Sequence, residues 1–144
     1  IAGVATGGIA MGALVAQDLG LPFAYVRSSA KGHGLQNMIE GMVEEGQTVL
    51  VIEDLVSTGK SSLDAVAALR AAGMSVKGMI AIFTYGFDVS VNSFKEANVE
   101  LKTLTDYNTL IQQALQSNYI SEEQVSSLAE WRDAPQVWGE GIKK

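Results

Sequence analysis

Thr48-Val49-Leu50-Val51-Ile52 is a run of aliphatic, β-prone residues with no polar alternation. A strand of that kind is buried on both faces, so it belongs inside a sheet covered by helices on either side. The rest of the chain supplies those helices. Ser61 to Ala72 reads as a helix with Leu63, Val66, Ala67 and Leu69 on one side and Gly73 as its stop. Upstream, Ile1 to Ala5 reads as the end of a buried strand entering a Gly turn. A helix from Ile9 to Leu19, a strand from Phe23 to Arg27, an exposed loop from Ser28 to Gln36 and a strand from Asn37 to Val43 follow. Downstream come a strand from Val76 to Phe83, a helix from Phe87 to Ala97 and a strand from Val99 to Leu104. Asp106 then caps a helix running to Gln116. Ser121-Glu122-Glu123-Gln124 has the pattern of a capping box opening a last helix that ends near Trp131. Strands alternating with helices predict an α/β fold with a mainly parallel sheet and helices on both faces. Residues 1–144 are expected to form one domain. No initiator Met precedes Ile1, and the expectation is that an N-terminal portion of the protein is missing from this sequence.

Composition narrows the classes of function. Ten basic and sixteen acidic side chains leave a net charge of −6, which disfavours nucleic acid as a partner because phosphate neutralisation needs excess Lys and Arg. There is no cysteine, so disulfides, thiolate zinc sites and cysteine nucleophiles are excluded. No apolar run approaches the roughly 20 residues that span a bilayer, and no membrane partner is expected. A cytoplasmic location is consistent with this balance.

In an open α/β sheet, ligands bind at the carboxyl ends of the strands. The central apolar run leads straight into two carboxylates, Glu53 and Asp54, then Leu55-Val56-Ser57-Thr58-Gly59-Lys60-Ser61 opens a helix. A helix N-terminus with hydroxyl donors and a Gly suits a phosphate monoester. Adjacent carboxylates repel phosphate but suit sugar hydroxyls, so the segment reads as a site for a phosphorylated sugar. Gly59-Lys60-Ser61 matches the last residues of a Walker A loop, but that motif needs Gly at position 54, where an Asp stands. A second strand end carries Arg27, Lys31 and the sole His, His33, in a Gly-rich loop suited to an anion such as pyrophosphate. A metal site at His33 is not expected, since no ligand partner lies three or four residues away. Gly3 to Ile9 holds a third turn able to form an anion-binding nest.

The stretch Val51 to Ser62 resembles the signature of the type I phosphoribosyltransferases. The loop Arg27 to Gly34 followed by Asn37-x-Ile39-Glu40-Gly41 resembles the orotate phosphoribosyltransferase family, and Ile82 to Tyr85 with Trp131-Arg132 resembles its bacillus-like bacterial branch. The resemblance implies a type I phosphoribosyltransferase core. It implies transfer of the phosphoribosyl group of phosphoribosyl pyrophosphate to orotate, with Mg2+ held mainly by substrate and no protein metal ligands assigned. It further implies a homodimer with shared active sites. Glu53 and Asp54 are then expected on the ribose hydroxyls and Ser57, Thr58, Gly59, Lys60 and Ser61 around the 5′-phosphate, with Leu55 and Val56 also in the phosphoribosyl pyrophosphate site and Ser57 beside orotate. Arg27, Lys31 and His33 would meet the pyrophosphate, in the partner's site, and Lys31, His33 and Asp54 are the catalytic candidates. The sequence departs from other branches at Ser28, Gly7 and Tyr85, which stand where those branches carry a second basic residue, a Lys and an orotate-holding Arg. The family's N-terminal lid segment is also missing here. Two other readings keep the same fold: a non-catalytic sensor of phosphoribosyl pyrophosphate, and a phosphoribosyltransferase for a purine base.

Overall fold

The strand built on the apolar run does not stop at Ile52. It continues to Val56, because Glu53, Leu55 and Val56 keep pairing with Ala81, Phe83 and Thr84 of the next strand. The computed structural model describes residues 1–27 and 38–138. Along the chain these form β1 (Ala2–Val4), α1 (Gly7–Leu19), β2 (Ala24–Val26), β3 (Ile39–Glu40), β4 (Thr48–Val56) and α2 (Lys60–Ala71). Then come β5 (Ser75–Thr84), α3 (Asp88–Glu96), β6 (Leu101–Asp106), α4 (Tyr107–Gln116) and α5 (Glu122–Asp133). The strands make one six-stranded sheet of order β3-β2-β1-β4-β5-β6. All neighbours are parallel except β3, which runs antiparallel to β2 at the edge. The expected α/β architecture with a mainly parallel sheet is therefore present.

Register assigns the faces. Ala2 pairs with Val51 and Gly3 with Ile52, so Ala2 and Val51 share one face and Gly3 and Ile52 the other. α1 lies on the Gly3 face, where a Cβ at Gly3 would overlap the Gly8 carbonyl and one at Gly8 would overlap the Ile52 carbonyl. On the opposite face, Ala2, Val4, Val26, Val49 and Val51 pack with Ala65, Val66, Ala68 and Leu69 of α2. Right-handed crossovers require this split, since β1→α1→β2 and β4→α2→β5 step in opposite directions across the sheet.

The local signals worked where capping chemistry was explicit. The Asp106 carboxylate accepts from the Thr109 N–H, and both hydrogen bonds of the Ser121–Gln124 capping box are made. Two expectations change. The strand expected over 37–43 shrinks to Ile39–Glu40, because Gly41 turns the chain at φ 114°. In α2, Ala67 faces solvent, and the buried stripe is Ser62, Ala65, Val66, Ala68 and Leu69.

The closeness of α1 to the sheet makes Gly8 a stringent position. Gly8→Ala is expected to lower stability by about 1–3 kcal/mol, the usual cost of overpacking against backbone that cannot yield. Urea unfolding of the variant beside the parent measures it; an unchanged midpoint would show that α1 can lift off the sheet without cost.

Candidate active site at the carboxyl ends of the strands

Because β4 runs through the acid pair, the pleat sends the two carboxylates to opposite faces of the sheet. Glu53 points to the α2 face and is 4% exposed. Its carboxylate accepts the Ser62 hydroxyl at 2.8 Å and the Asp54 N–H at 3.1 Å. Asp54 points to the α1 face, exposed to solvent, with its carboxylate over Gly7. A Cβ at Gly7 would overlap that carboxylate, so the start of α1 is shaped around Asp54. The sequence does not distinguish the two acids; in the structure Ser62, three residues past the loop glycine, holds Glu53. The signal was present in the Glu53-to-Ser62 spacing, but it becomes readable only once β4 and α2 are known to share a face.

Beyond β4 the chain turns through Ser57 and Thr58 to Gly59, which sits at φ 83° as the N-cap of α2. A side chain at Gly59 would meet the Phe94 ring, and no side chain caps this helix. The N–H groups of the first turn, at Lys60 and Ser61, have no acceptor within a helix of their own. They form the positive end of the α2 dipole at this turn. Ser57 is half-buried, Thr58 and Ser61 are exposed, and Leu55 is exposed. Val56 is fully buried and contributes backbone alone: its carbonyl accepts from the Thr84 hydroxyl and the Tyr85 N–H.

Two of the cations that the sequence singles out lie beside carboxylates. The Lys60 ammonium turns to Asp64, 2.7 Å away, in an exposed pair along the first turn of α2. Arg27 stands at the end of β2, two strands from β4 and hence roughly 10 Å away across the sheet. Its guanidinium lies 3.4 Å from Glu40, and its N–H bonds the Met38 carbonyl at 2.8 Å. The two chain ends that flank residues 28–37 are thus held side by side. Lys31 and His33 lie outside the described residues.

A cleft of about 670 Å³ adjoins this loop, with Ser57 and Thr58 on one wall and Tyr85, Phe87, Trp131 and Arg132 on another. The Tyr85 and Phe87 rings stack at 5.3 Å, and Trp131 meets Tyr85 at 5.5 Å. This aromatic wall is not visible in the linear sequence, because its members come from the turn after β5 and from α5. Among the described residues, no three His, Asp or Glu side chains come together to hold a metal ion. Among them, too, no helix is long and apolar enough to cross a membrane.

An acid on each face of a central strand, a glycine-capped helix start and a neighbouring cleft can hold a phosphorylated sugar beside a flat ring. A family model for the phosphoribosyl transferase domain matches residues 1–118. The chain belongs to that family. The orotate phosphoribosyltransferase of Porphyromonas gingivalis is 56% identical over 139 residues, covering 96% of this chain and 66% of that protein. That of Phocaeicola vulgatus is 57% identical over 141 residues, covering 98% of this chain and 66% of its own length. The chain therefore spans 66% of the length of these curated relatives. The crystal structure of orotate phosphoribosyltransferase from Aeropyrum pernix is similar at a TM-score of 0.70 and 30% identity, covering 78% of this chain and 62% of that one.

Burial raises the Glu53 pKa to about 7, with the neighbouring Asp54 adding to the rise and the Ser62 hydroxyl opposing it. The folded state thus holds this proton more tightly than the unfolded chain does. The stability it contributes is full below the ordinary carboxylate range and is lost as pH rises through about 7. Urea midpoints of the parent are expected to fall across that window, and Glu53→Gln, which keeps an acceptor for Ser62, is expected to flatten the fall. Parallel profiles for the two proteins would exclude Glu53 as the titrating group.

Proposed function

We propose that the protein transfers the phosphoribosyl group of phosphoribosyl pyrophosphate to orotate, releasing pyrophosphate and forming orotidine 5′-monophosphate in pyrimidine synthesis. The observation that carries this reading is the union of the glycine-capped α2 start, the Asp54 carboxylate and the aromatic cleft in a chain whose relatives at 56% and 57% identity are orotate phosphoribosyltransferases. The 5′-phosphate would sit on the Ser57 to Ser61 backbone and hydroxyls, and the ribose hydroxyls on Asp54. Glu53 would act mainly by holding α2 in place. Its protonated share at neutral pH also reduces the repulsion a second carboxylate would exert on the phosphates.

In the reaction, the ring nitrogen of orotate bonds to C1 of the ribose as the C1–O bond breaks. Pyrophosphate leaves with the electron pair, and the ring N–H proton goes to solvent. Positive character grows on the sugar and negative charge on the leaving group. Asp54, close to the ribose, favours the first. The second calls for fixed cations, and among the described residues Lys60 and Arg27 are engaged by Asp64 and Glu40. That division favours Lys31 and His33 as the cationic groups, delivered across a homodimer into the partner's site. A Mg2+ ion would take most of its oxygen ligands from the substrates and would neutralise the diphosphate. Phosphoribosyl pyrophosphate is too highly charged to cross a bilayer, which favours the cytoplasm as the place of action. Excess acid over base disfavours the sensor reading with a nucleic-acid surface.

The test is the loss of orotate absorbance with the full-length protein. Consumption should require both phosphoribosyl pyrophosphate and Mg2+, and adenine or hypoxanthine should not compete. Purine consumption in place of orotate would overturn the reading. Asp54→Asn is expected to lower kcat/KM roughly 10- to 150-fold, the worth of a charged hydrogen bond. Mixing Lys31→Ala with Asp54→Asn protein should restore activity in heterodimers, as each then contains one intact composite site. Demonstrated heterodimers without recovery would place the loop in its own subunit's site.

A further inference from the structure

Arg132, near the end of α5, occupies an unusual position. Its Nε donates to the Tyr85 carbonyl at 3.1 Å and its Nη2 to the Gly86 carbonyl at 2.9 Å. These two bonds fix the plane of the guanidinium across the turn that follows β5. A guanidinium carries five N–H donors, so three remain. The Nη1 edge has as its nearest acidic neighbour the Asp133 Oδ1 at 3.8 Å, beyond hydrogen-bond distance, and Asp133 is itself 79% exposed. Among the described residues, Nη1 makes no hydrogen bond.

Arg132 also lines the 670 Å³ cleft that Ser57 and Thr58 share. The other charged side chains on that cleft are Asp88 and Asp133. Arg132 is thus the cleft's one cation among the described residues, and an anionic ligand has a single place to put its charge. Beside it stand flat hydrophobic surfaces: the parallel Tyr85 and Phe87 rings, 8° apart in plane, and Trp131, 5.9 Å from Phe87. Aromatic walls take a planar ring by stacking, and a fixed guanidinium with a free edge takes a carboxylate. The two features meet next to the loop assigned to the ribose phosphate.

We infer that Arg132 is the specificity-determining residue that recognises the carboxylate of the acceptor ring. This rests on the reading of orotate as acceptor and names the group in this chain that separates it from its uncarboxylated analogue, uracil. A site that holds a ligand's charged group loses strongly when the group is missing, because the buried donors are left unpaired. The Tyr85 and Gly86 carbonyls act as the frame for this: they hold Arg132 in one orientation before any ligand arrives, so little side-chain entropy is lost on binding.

A purely structural Arg132, tying α5 to the turn after β5, makes different predictions. Steady-state kinetics on the full-length protein separates them. Arg132→Gln is expected to raise the KM for orotate roughly 10- to 150-fold while leaving the KM for phosphoribosyl pyrophosphate within about twofold. The orotate-to-uracil ratio of kcat/KM should collapse by a similar factor, and Arg132→Lys should restore part of it. A second variant does not disturb the tether: Asp133→Asn removes the exposed carboxylate nearest Nη1. It should lower the KM for orotate about two- to fivefold without changing turnover of uracil. Equal rises in both KM values, an unchanged orotate-to-uracil ratio, or an Asp133→Asn effect shared by uracil would overturn the assignment. These failures differ from that of the functional reading itself, for which the parent protein would consume no orotate at all.

Discussion

The hydrogen bond from Ser62 to Glu53 joins the end of the central strand to the first turn of the helix that follows it. That join positions the start of α2 against the sheet. β4 carries the buried core through Val49, Val51 and Ile52, and the same backbone continues into the acids without a break. Ser62 draws α2 down onto the α2 face of the sheet, which leaves Gly59 as an N-cap with no side chain and the first-turn N–H groups facing outward. Leaving an acid buried costs free energy unless it is hydrogen-bonded or protonated. Glu53 is both bonded and raised in pKa, so the join survives in an otherwise apolar layer.

The opposite orientation of Asp54 follows from the same pleat. On the α1 face it meets Gly7, and the absence of a Cβ there lets a carboxylate lie against the helix start. Gly8 and Gly3 extend the principle, bringing α1 so close to β1 and β4 that the ends of the strands form one shelf. A closely packed layer of this kind resists adjustment, which keeps the strand ends in fixed relation to the start of α1.

Charge is distributed as deliberately as packing. Lys60 and Arg27 are neutralised by Asp64 and Glu40, while Arg132 keeps part of its donor capacity open toward the cleft. The distinction is not one of residue type. It arises because the nearest carboxylate to Arg132, on Asp133, stands 3.8 Å away, whereas those beside Lys60 and Arg27 stand at 2.7 and 3.4 Å.

Much of the fold was legible in the residues. Continuous aliphatic runs gave β4 and β5, capping chemistry at Asp106 and Ser121 marked two helix starts, and strand–helix alternation implied a mainly parallel sheet. These are local signals, set by side-chain periodicity and by hydrogen bonds a few residues apart. The turn from β4 into α2 was legible for the same reason, since strand, loop and helix start lie in one segment. What only the tertiary structure decided is how distant segments face one another. The division of labour between Glu53 and Asp54 depended on where β4 ends, which pairing with β5 determines. The engagement of Lys60 and Arg27, and the meeting of Trp131 and Arg132 with Tyr85 and Phe87, depended on contacts whose partners the linear pattern does not name. Arg132 and Gly86 are 46 residues apart, and nothing in either neighbourhood specifies the other. Periodicity shows which face of an element is apolar; only the packed sheet and helices determine what that face, or the polar one, will meet.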